Sequence, residues 1–284
     1  MKRLIVTDST SDLSDDMVAK LGVSILPVNI ILDGEDYKDR EEIKIEDFYR
    51  NFDRYGSMKT GPVSYEQVSF HYLELTAEYD EILFILCSRH LSKTYENALK
   101  AHRYFQDKHD CRVEIIDSRH CGMGLGLIVI EAARAMKQGQ PFEDIIELVH
   151  DLSDRITTYM TVPSLKYLRA NQKISGLKSL LGNVMGIKPV LGFHDGRIVV
   201  KTKLTGKSEN LLLDLIDHIK EDIGKSPVTM ALAHARDTRY VSDLVHTFKR
   251  MFDCRRMYTA YFGPSVGIST GPETMGVSFF KHRS

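Results

Sequence analysis

Two hydrophobic periods alternate along the first half of the chain. Short apolar runs at Leu4–Thr7, Ile82–Cys87 and Val113–Ile116 each end in a polar cluster, and each is followed by residues with helical spacing of apolar positions. After the first run comes the turn Asp8-Ser9-Thr10-Ser11-Asp12 and a helix near Asp15–Leu21. Val23–Leu32 reads as extended, with Pro27 implying an edge position or a break in pairing. A helix near Ile45–Tyr55 precedes a loop from Gly56 to Val63, and Ser64 with Gln67 forms a capping box for a helix carrying Val68, Tyr72, Leu73 and Leu75. A further helix pattern starts at Tyr95, with Ala98, Leu99, His102 and Phe105 on the same face; others cover Met123–Lys137 and Phe142–Asp154. Apolar strands alternating with helices predict an α/β fold with a parallel, doubly wound sheet.

The pattern changes after about residue 155. Thr157–Val162 is a strand, followed by short helices at Leu165–Ala170 and Leu177–Val184. Val190–Phe193 and Ile198–Lys203 flank His194-Asp195-Gly196-Arg197, where Asp-Gly suits a tight hairpin turn. Helices at Ser208–Ile223 and Val241–Met251 then alternate with strands at Val228–Ala233, Met257–Phe262 and Val277–Phe280. This grain predicts two domains, an N-terminal α/β domain (1–155) and a C-terminal α+β domain (156–284).

Composition narrows the function classes. The chain has 284 residues, 43% hydrophobic and 27% charged, which is ample for two buried cores. A net charge of −1 removes any bulk electrostatic case for nucleic acid. Met1–Val6 turns polar at Thr7, too soon for a secretory leader, and no apolar run approaches the roughly 18 residues that span a bilayer. The four cysteines, Cys87, Cys111, Cys121 and Cys254, are scattered with no C-x-x-C, and Cys87 reads as a buried hydrophobe. A reduced, cytoplasmic setting is the expectation.

Candidate chemistry centres on one junction. The strand ending at Cys87 runs into Ser88-Arg89-His90-Leu91-Ser92-Lys93-Thr94 just before a helix. Ligands of open α/β sheets bind at strand carboxyl ends, and free N–H groups at a helix start attract anions. Competing motifs fail on context. Gly263-Pro264-Ser265-Val266-Gly267 matches the G-x-S-x-G nucleophile elbow, but Ile268-Ser269-Thr270-Gly271-Pro272 reads as non-helical, and only 17 residues remain for an acid and a histidine. Gly206-Lys207-Ser208 lacks the upstream glycine of a phosphate loop, Lys201 standing in its place, and reads as a helix cap. Gly122-Met123-Gly124-Leu125-Gly126 lacks dinucleotide spacing and reads as close helix packing. No histidine or cysteine spacing fits a metal; Asp8 and Asp117, both at strand ends, raise a shared cation site, against the ordinary use of aspartate as a turn residue. What remains is a set of neutral hydroxyls, Ser9, Thr10, Thr60, Ser88, Ser92 and Ser118, better suited to binding a carboxylate than to reacting with it.

In its order of motifs the chain resembles the DegV family of bacterial acyl-binding proteins. The resemblance runs from Val6-Thr7-Asp8-Ser9-Thr10-Ser11-Asp12-Leu13 through Thr60-Gly61-Pro62, Leu91-Ser92-Lys93-Thr94-Tyr95-Glu96-Asn97-Ala98 and Ile116-Asp117-Ser118. It continues through Leu165-Lys166-Tyr167-Leu168, Ile187-Lys188-Pro189-Val190 and Gly263 to Pro272. The resemblance implies non-covalent binding of one long-chain fatty acid without a cofactor, its carboxylate held by Thr60 and Ser92 with Gly61 and Ser269 nearby. It implies a carrier rather than an enzyme, presenting the acyl carboxyl to a fatty acid kinase, with Lys173 at the position tied to partner recognition; transient membrane contact stays open.

Three positions depart from the family pattern. Ser269 stands where the late loop carries histidine, Asn171-Gln172-Lys173-Ile174 replaces Gly-Gly-Arg-Ile, and Lys93 replaces the glycine after the serine. These departures bear on kinase coupling more than on lipid binding. Two alternatives therefore stand beside the main expectation: a binder of another amphiphilic carboxylate without kinase coupling, and a serine hydrolase using Ser92 or Ser265.

Overall fold

A computed structural model describes residues 1–162, 164–173, 187–205, 208–236 and 241–283. In chain order the first half contains β1 (Arg3–Asp8), a 3-10 turn at Ser9–Ser11, α1 (Asp15–Leu21), β2 (Val23–Leu26), β3 (Asn29–Leu32), β4 (Glu35–Lys38) and α2 (Ile45–Asn51). It continues with β5 (Met58–Gly61), α3 (Tyr65–Thr76), β6 (Glu81–Leu86), α4 (Thr94–Phe105), β7 (Arg112–Asp117), α5 (Met123–Lys137) and α6 (Phe142–Arg155). The second half contains β8 (Thr157–Thr161), α7 (Lys166–Ala170), β9 (Ile187–His194), β10 (Arg197–Thr205), α8 (Ser208–Ile223) and β11 (Val228–His234). It ends with α9 (Val241–Met251), β12 (Cys254–Tyr261), α10 (Pro264–Thr270) and β13 (Met275–Lys281).

The parallel sheet has the order β2-β1-β6-β7. All six residues of β6 are buried, as expected of a central strand covered on both faces. The second half forms a six-stranded sheet, β10-β9-β8-β13-β11-β12, antiparallel except for the β11–β12 pair. At the β9–β10 turn, Asp195 (φ 47°) and Gly196 (φ 75°) both adopt left-handed backbone, the conformation a two-residue type I′ hairpin needs.

Two local readings are corrected. Residues Met58–Gly61, read as loop, form β5, an edge strand of a small antiparallel sheet ordered β4-β3-β5, with Thr60 opposite Ile30. Met-Lys-Thr-Gly carries no alternating pattern, so its strand character comes from the partner strand. Ile268–Thr270, read with Gly271 and Pro272 as non-helical, belong to α10 (Pro264–Thr270). Proline suits the first helical position, and Gly271 (φ 100°) ends the segment. All seven residues are buried, so tertiary packing holds a helix too short to stand alone. The helix expected at Leu177–Val184 and the Gly206-Lys207 pair lie outside the described residues.

α5 joins the two halves. It packs on β1 and β6 on one side and on β11 and β13 on the other, and 11 of its 15 residues are buried. Its glycines permit this: a Cβ on Gly126 would lie 2.6 Å from the Ser11 carbonyl oxygen. One hydrophobic cluster consequently runs from Ile5 to Phe280 across both halves, with separate clusters under the outer helices of each sheet.

Candidate functional site

The junction after β6 is braced from three sides. Ser88 donates its N–H to the His120 carbonyl (2.9 Å) and its hydroxyl to the Gly196 carbonyl (2.7 Å), tying the junction to the hairpin of the second sheet. Leu91 and Ser92 then turn back, both N–H groups donating to the Ser88 carbonyl. The Ser92 hydroxyl accepts from Thr94 N–H (3.3 Å) and lies 2.9 Å from Thr94 Oγ1, which itself accepts from Val63 N–H (3.1 Å). α4 accordingly starts at Thr94, one residue before its apolar face begins.

Above this junction lies a cavity of about 660 Å³, lined by residues from both halves of the chain. Thr60 and Gly61 on β5, Ser92, Lys173 and Ser269 on α10 all border it. Thr10 and Asn171 border it as well, and Leu91, Met123, Met160, Leu168, Phe193 and Phe262 supply apolar wall. Of the six hydroxyls singled out in the sequence, Thr10, Thr60 and Ser92 face this space. The other three serve structure: Ser9 donates to Asp39 (2.8 Å), Ser88 to Gly196, and Ser118 to the His120 carbonyl (3.2 Å).

Cationic groups surround the cavity. Lys59, Arg89 and Lys93 border it and are exposed, as is the His90 imidazole. Arg89 pairs with Asp117 (2.5 Å) and lies over the Tyr95 ring (4.8 Å). Lys173 turns inward and donates to the Leu91 carbonyl (2.5 Å).

Buried aspartates hold the floor. Asp8 accepts from Thr10 N–H (3.0 Å), Thr10 hydroxyl (2.5 Å) and Cys87 N–H (2.8 Å), while Asp117 is taken up by Arg89 and Arg119 N–H. No group of three metal-ligating side chains occurs among the described residues. Asp12 accepts from Gly263 N–H (2.8 Å), and Tyr49 donates to the Phe262 carbonyl (2.8 Å), fixing the start of α10 against the first half. Burial pushes the Asp12 carboxyl well up and that of Asp39 to about 6.

Sequence reasoning missed the two cysteines of the site. Cys87 and Cys121 both line the cavity, although nothing in their separation along the chain pairs them. It also missed Phe193 and Ile198, which the hairpin carries to the cavity wall.

Comparison with known proteins places this geometry. The family model for DegV proteins matches residues 2–282. A DegV domain-containing protein of Caldanaerobacter subterraneus subsp. tengcongensis is 31% identical over 283 residues, covering 98% of each chain. Among solved structures, a DegV family protein from Thermus thermophilus, named for fatty acid binding, matches with a TM-score of 0.87 and 26% identity over 99% of this chain and 100% of its own. A stearic acid-binding protein from Eubacterium ventriosum matches with a TM-score of 0.88 over 98% of this chain and 97% of its own, and at 22% identity it speaks for the fold.

Proposed function

This chain belongs to the DegV family, and on that premise we propose that it binds one long-chain fatty acid non-covalently. The carboxylate is held by the hydroxyls of Thr60 and Ser92, with Gly61 allowing close approach and Ser269 facing the head group. The observation that carries the reading is the convergence of these four residues, from β5, the β6–α4 junction and α10, on one cavity with apolar wall. Its volume of about 660 Å³ lies within the range of small-molecule sites. Each buried methylene contributes about 0.8 kcal/mol, so an acyl chain supplies the affinity and the hydroxyls need only set its register. The N-terminal end of α4 favours negative charge beside Ser92.

In this reading the protein is a carrier with two domains, 1–155 and 156–284, that presents the acyl carboxyl to a kinase. One observation favours a second reading without kinase coupling: the Lys173 ammonium, at the position tied to partner recognition, is bonded inward to Leu91. A serine hydrolase finds less support. The Ser92 hydroxyl is partnered by Thr94 and Ser265 faces the Asp39 carboxyl, so neither rests against an imidazole.

The test is to purify the protein from cells, weigh it by native mass spectrometry and identify what denaturing extraction releases. Close to one fatty acid per chain is expected. Protein that is repeatedly lipid-free and takes up no fatty acid would overturn the proposal.

A further inference from the structure

Cys87 and Cys121 take no part in holding a carboxylate, yet the fold brings them together. Cys87 directly follows β6 and is 2% exposed; Cys121 sits in the loop between β7 and α5, partly accessible. The bond from Ser88 N–H to the His120 carbonyl (2.9 Å) clamps the residues beside them. The two thiols perturb one another's ionisation, and the Cys121 thiol also lies 3.9 Å from the Thr10 carbonyl. Both border the cavity, and Cys121 is the more accessible of the two. The remaining cysteines are placed differently: Cys111 lies against the Arg112 carbonyl and Cys254 against the Met230 sulfur.

We propose that Cys87 and Cys121 form a redox-active dithiol in the cavity wall that reduces a peroxide and is left as a disulfide. The peroxide is either a hydroperoxide carried on a bound acyl chain or a small diffusible one. Only the acyl-chain source rests on the fatty-acid reading. The electrostatics divide the roles. The neighbouring Cys87 thiol holds the Cys121 thiol below its ordinary range, and the Lys173 ammonium also favours the thiolate. The Cys121 thiol beside it and burial push the Cys87 thiol up. Cys121 is therefore the attacking thiolate and Cys87 the resolving thiol.

The chemistry balances. The Cys121 sulfur attacks the terminal peroxide oxygen; the O–O bond breaks, an S–O bond forms, and the departing alkoxide takes up the proton that Cys121 released. The Cys87 sulfur then displaces hydroxide from the sulfenic acid, and its own proton completes a water. Two thiols and one peroxide become one disulfide, one alcohol (or water) and one water. An external dithiol reductant restores the starting state.

The test uses the full chain, reduced and freed of reductant. It is treated with an equimolar amount of hydrogen peroxide or of a hydroperoxide of a long-chain unsaturated fatty acid, then denatured and alkylated. Two of the four cysteines should escape alkylation, peptide mapping should join Cys87 to Cys121, and dithiothreitol should restore both. Cys87→Ser should leave a sulfenic acid on Cys121 that dimedone captures, whereas Cys121→Ser should leave no adduct on Cys87. Faster closure with the lipid hydroperoxide assigns the bound chain as oxidant; equal rates assign a diffusible peroxide. Four alkylated cysteines under both oxidants, or a disulfide between any other pair, would overturn the dithiol. Lipid extracted from the same samples separates the two proposals: bound lipid without disulfide overturns this one alone, and a disulfide in protein that holds no lipid and takes up no fatty acid overturns the fatty-acid reading alone.

Discussion

A hydroxyl before a helix can cap the backbone or bind a ligand, and Ser92 stands where both uses meet. It accepts from Thr94 N–H and lines the cavity, so its removal acts twice. Ser92→Ala should weaken fatty acid binding by about 1–3 kcal/mol, the cost of leaving a buried carboxylate short of a bond. It should lower folding stability by about 1 kcal/mol through the lost bond from Thr94 N–H. Displacement of a fluorescent fatty acid and urea melts read the two effects separately; unchanged affinity would remove Ser92 from the site. Asp39 belongs to the same scale. Burial raises its carboxyl from 3.8 to about 6, so its contribution to stability is fully present below pH 3.8, with the carboxyl protonated, and is lost as the pH rises through about 6. The loss amounts to about 3 kcal/mol at neutral pH. Asp39→Asn carries no such titration, so its stability relative to wild type should improve by up to that amount between about pH 3.5 and 7.5. A difference that stays flat across this range in urea melts would show that Asp39 titrates normally.

At the level of elements, α5 and α10 are both decided by what surrounds them. Propensity alone predicts that Gly126→Ala stabilises α5 by about 1 kcal/mol. The Cβ would meet the Ser11 carbonyl at 2.6 Å, and backbone cannot step aside cheaply. We expect destabilisation by about 1–3 kcal/mol, the range for overpacking. A variant that melts above wild type would mean that the turn at Ser9–Ser11 yields. In α10 the logic runs the other way. Its helix-breaking composition was legible and pointed to a loop, while burial of all seven residues and the bonds that seat Phe262 and Gly263 favour a helix. The helix is what brings Ser269 to the cavity.

For the whole molecule, the shared hydrophobic cluster predicts one cooperative unit. Ile5, Leu125 and Phe280 belong to the same cluster, so neither half keeps its core when the other opens. Thermal unfolding should give a single transition by calorimetry, and a saturating fatty acid should raise its midpoint by mass action. Two separated transitions would show that 1–155 and 156–284 hold together independently.

The chain's own pattern determined the elements: β6, α5, α6, the Ser64 capping box and the Asp-Gly hairpin follow from local periodicity and turn chemistry, which act over a few residues. Motif order put forward Thr60, Gly61, Ser92, Lys173 and Ser269 as candidates, and all five border the cavity. Tertiary structure alone decided β5, α10 and the meeting of Cys87 with Cys121, because each depends on a partner distant along the chain. β5 needs the edge of β3, α10 needs a buried seat against the first half, and the two thiols meet only where β6 and β7 lie side by side. Local preference is encoded in neighbours along the chain, whereas pairing and burial are settled by which segments collapse onto one another. The cavity is the product of that second step, its wall drawn from strands and helices of both halves.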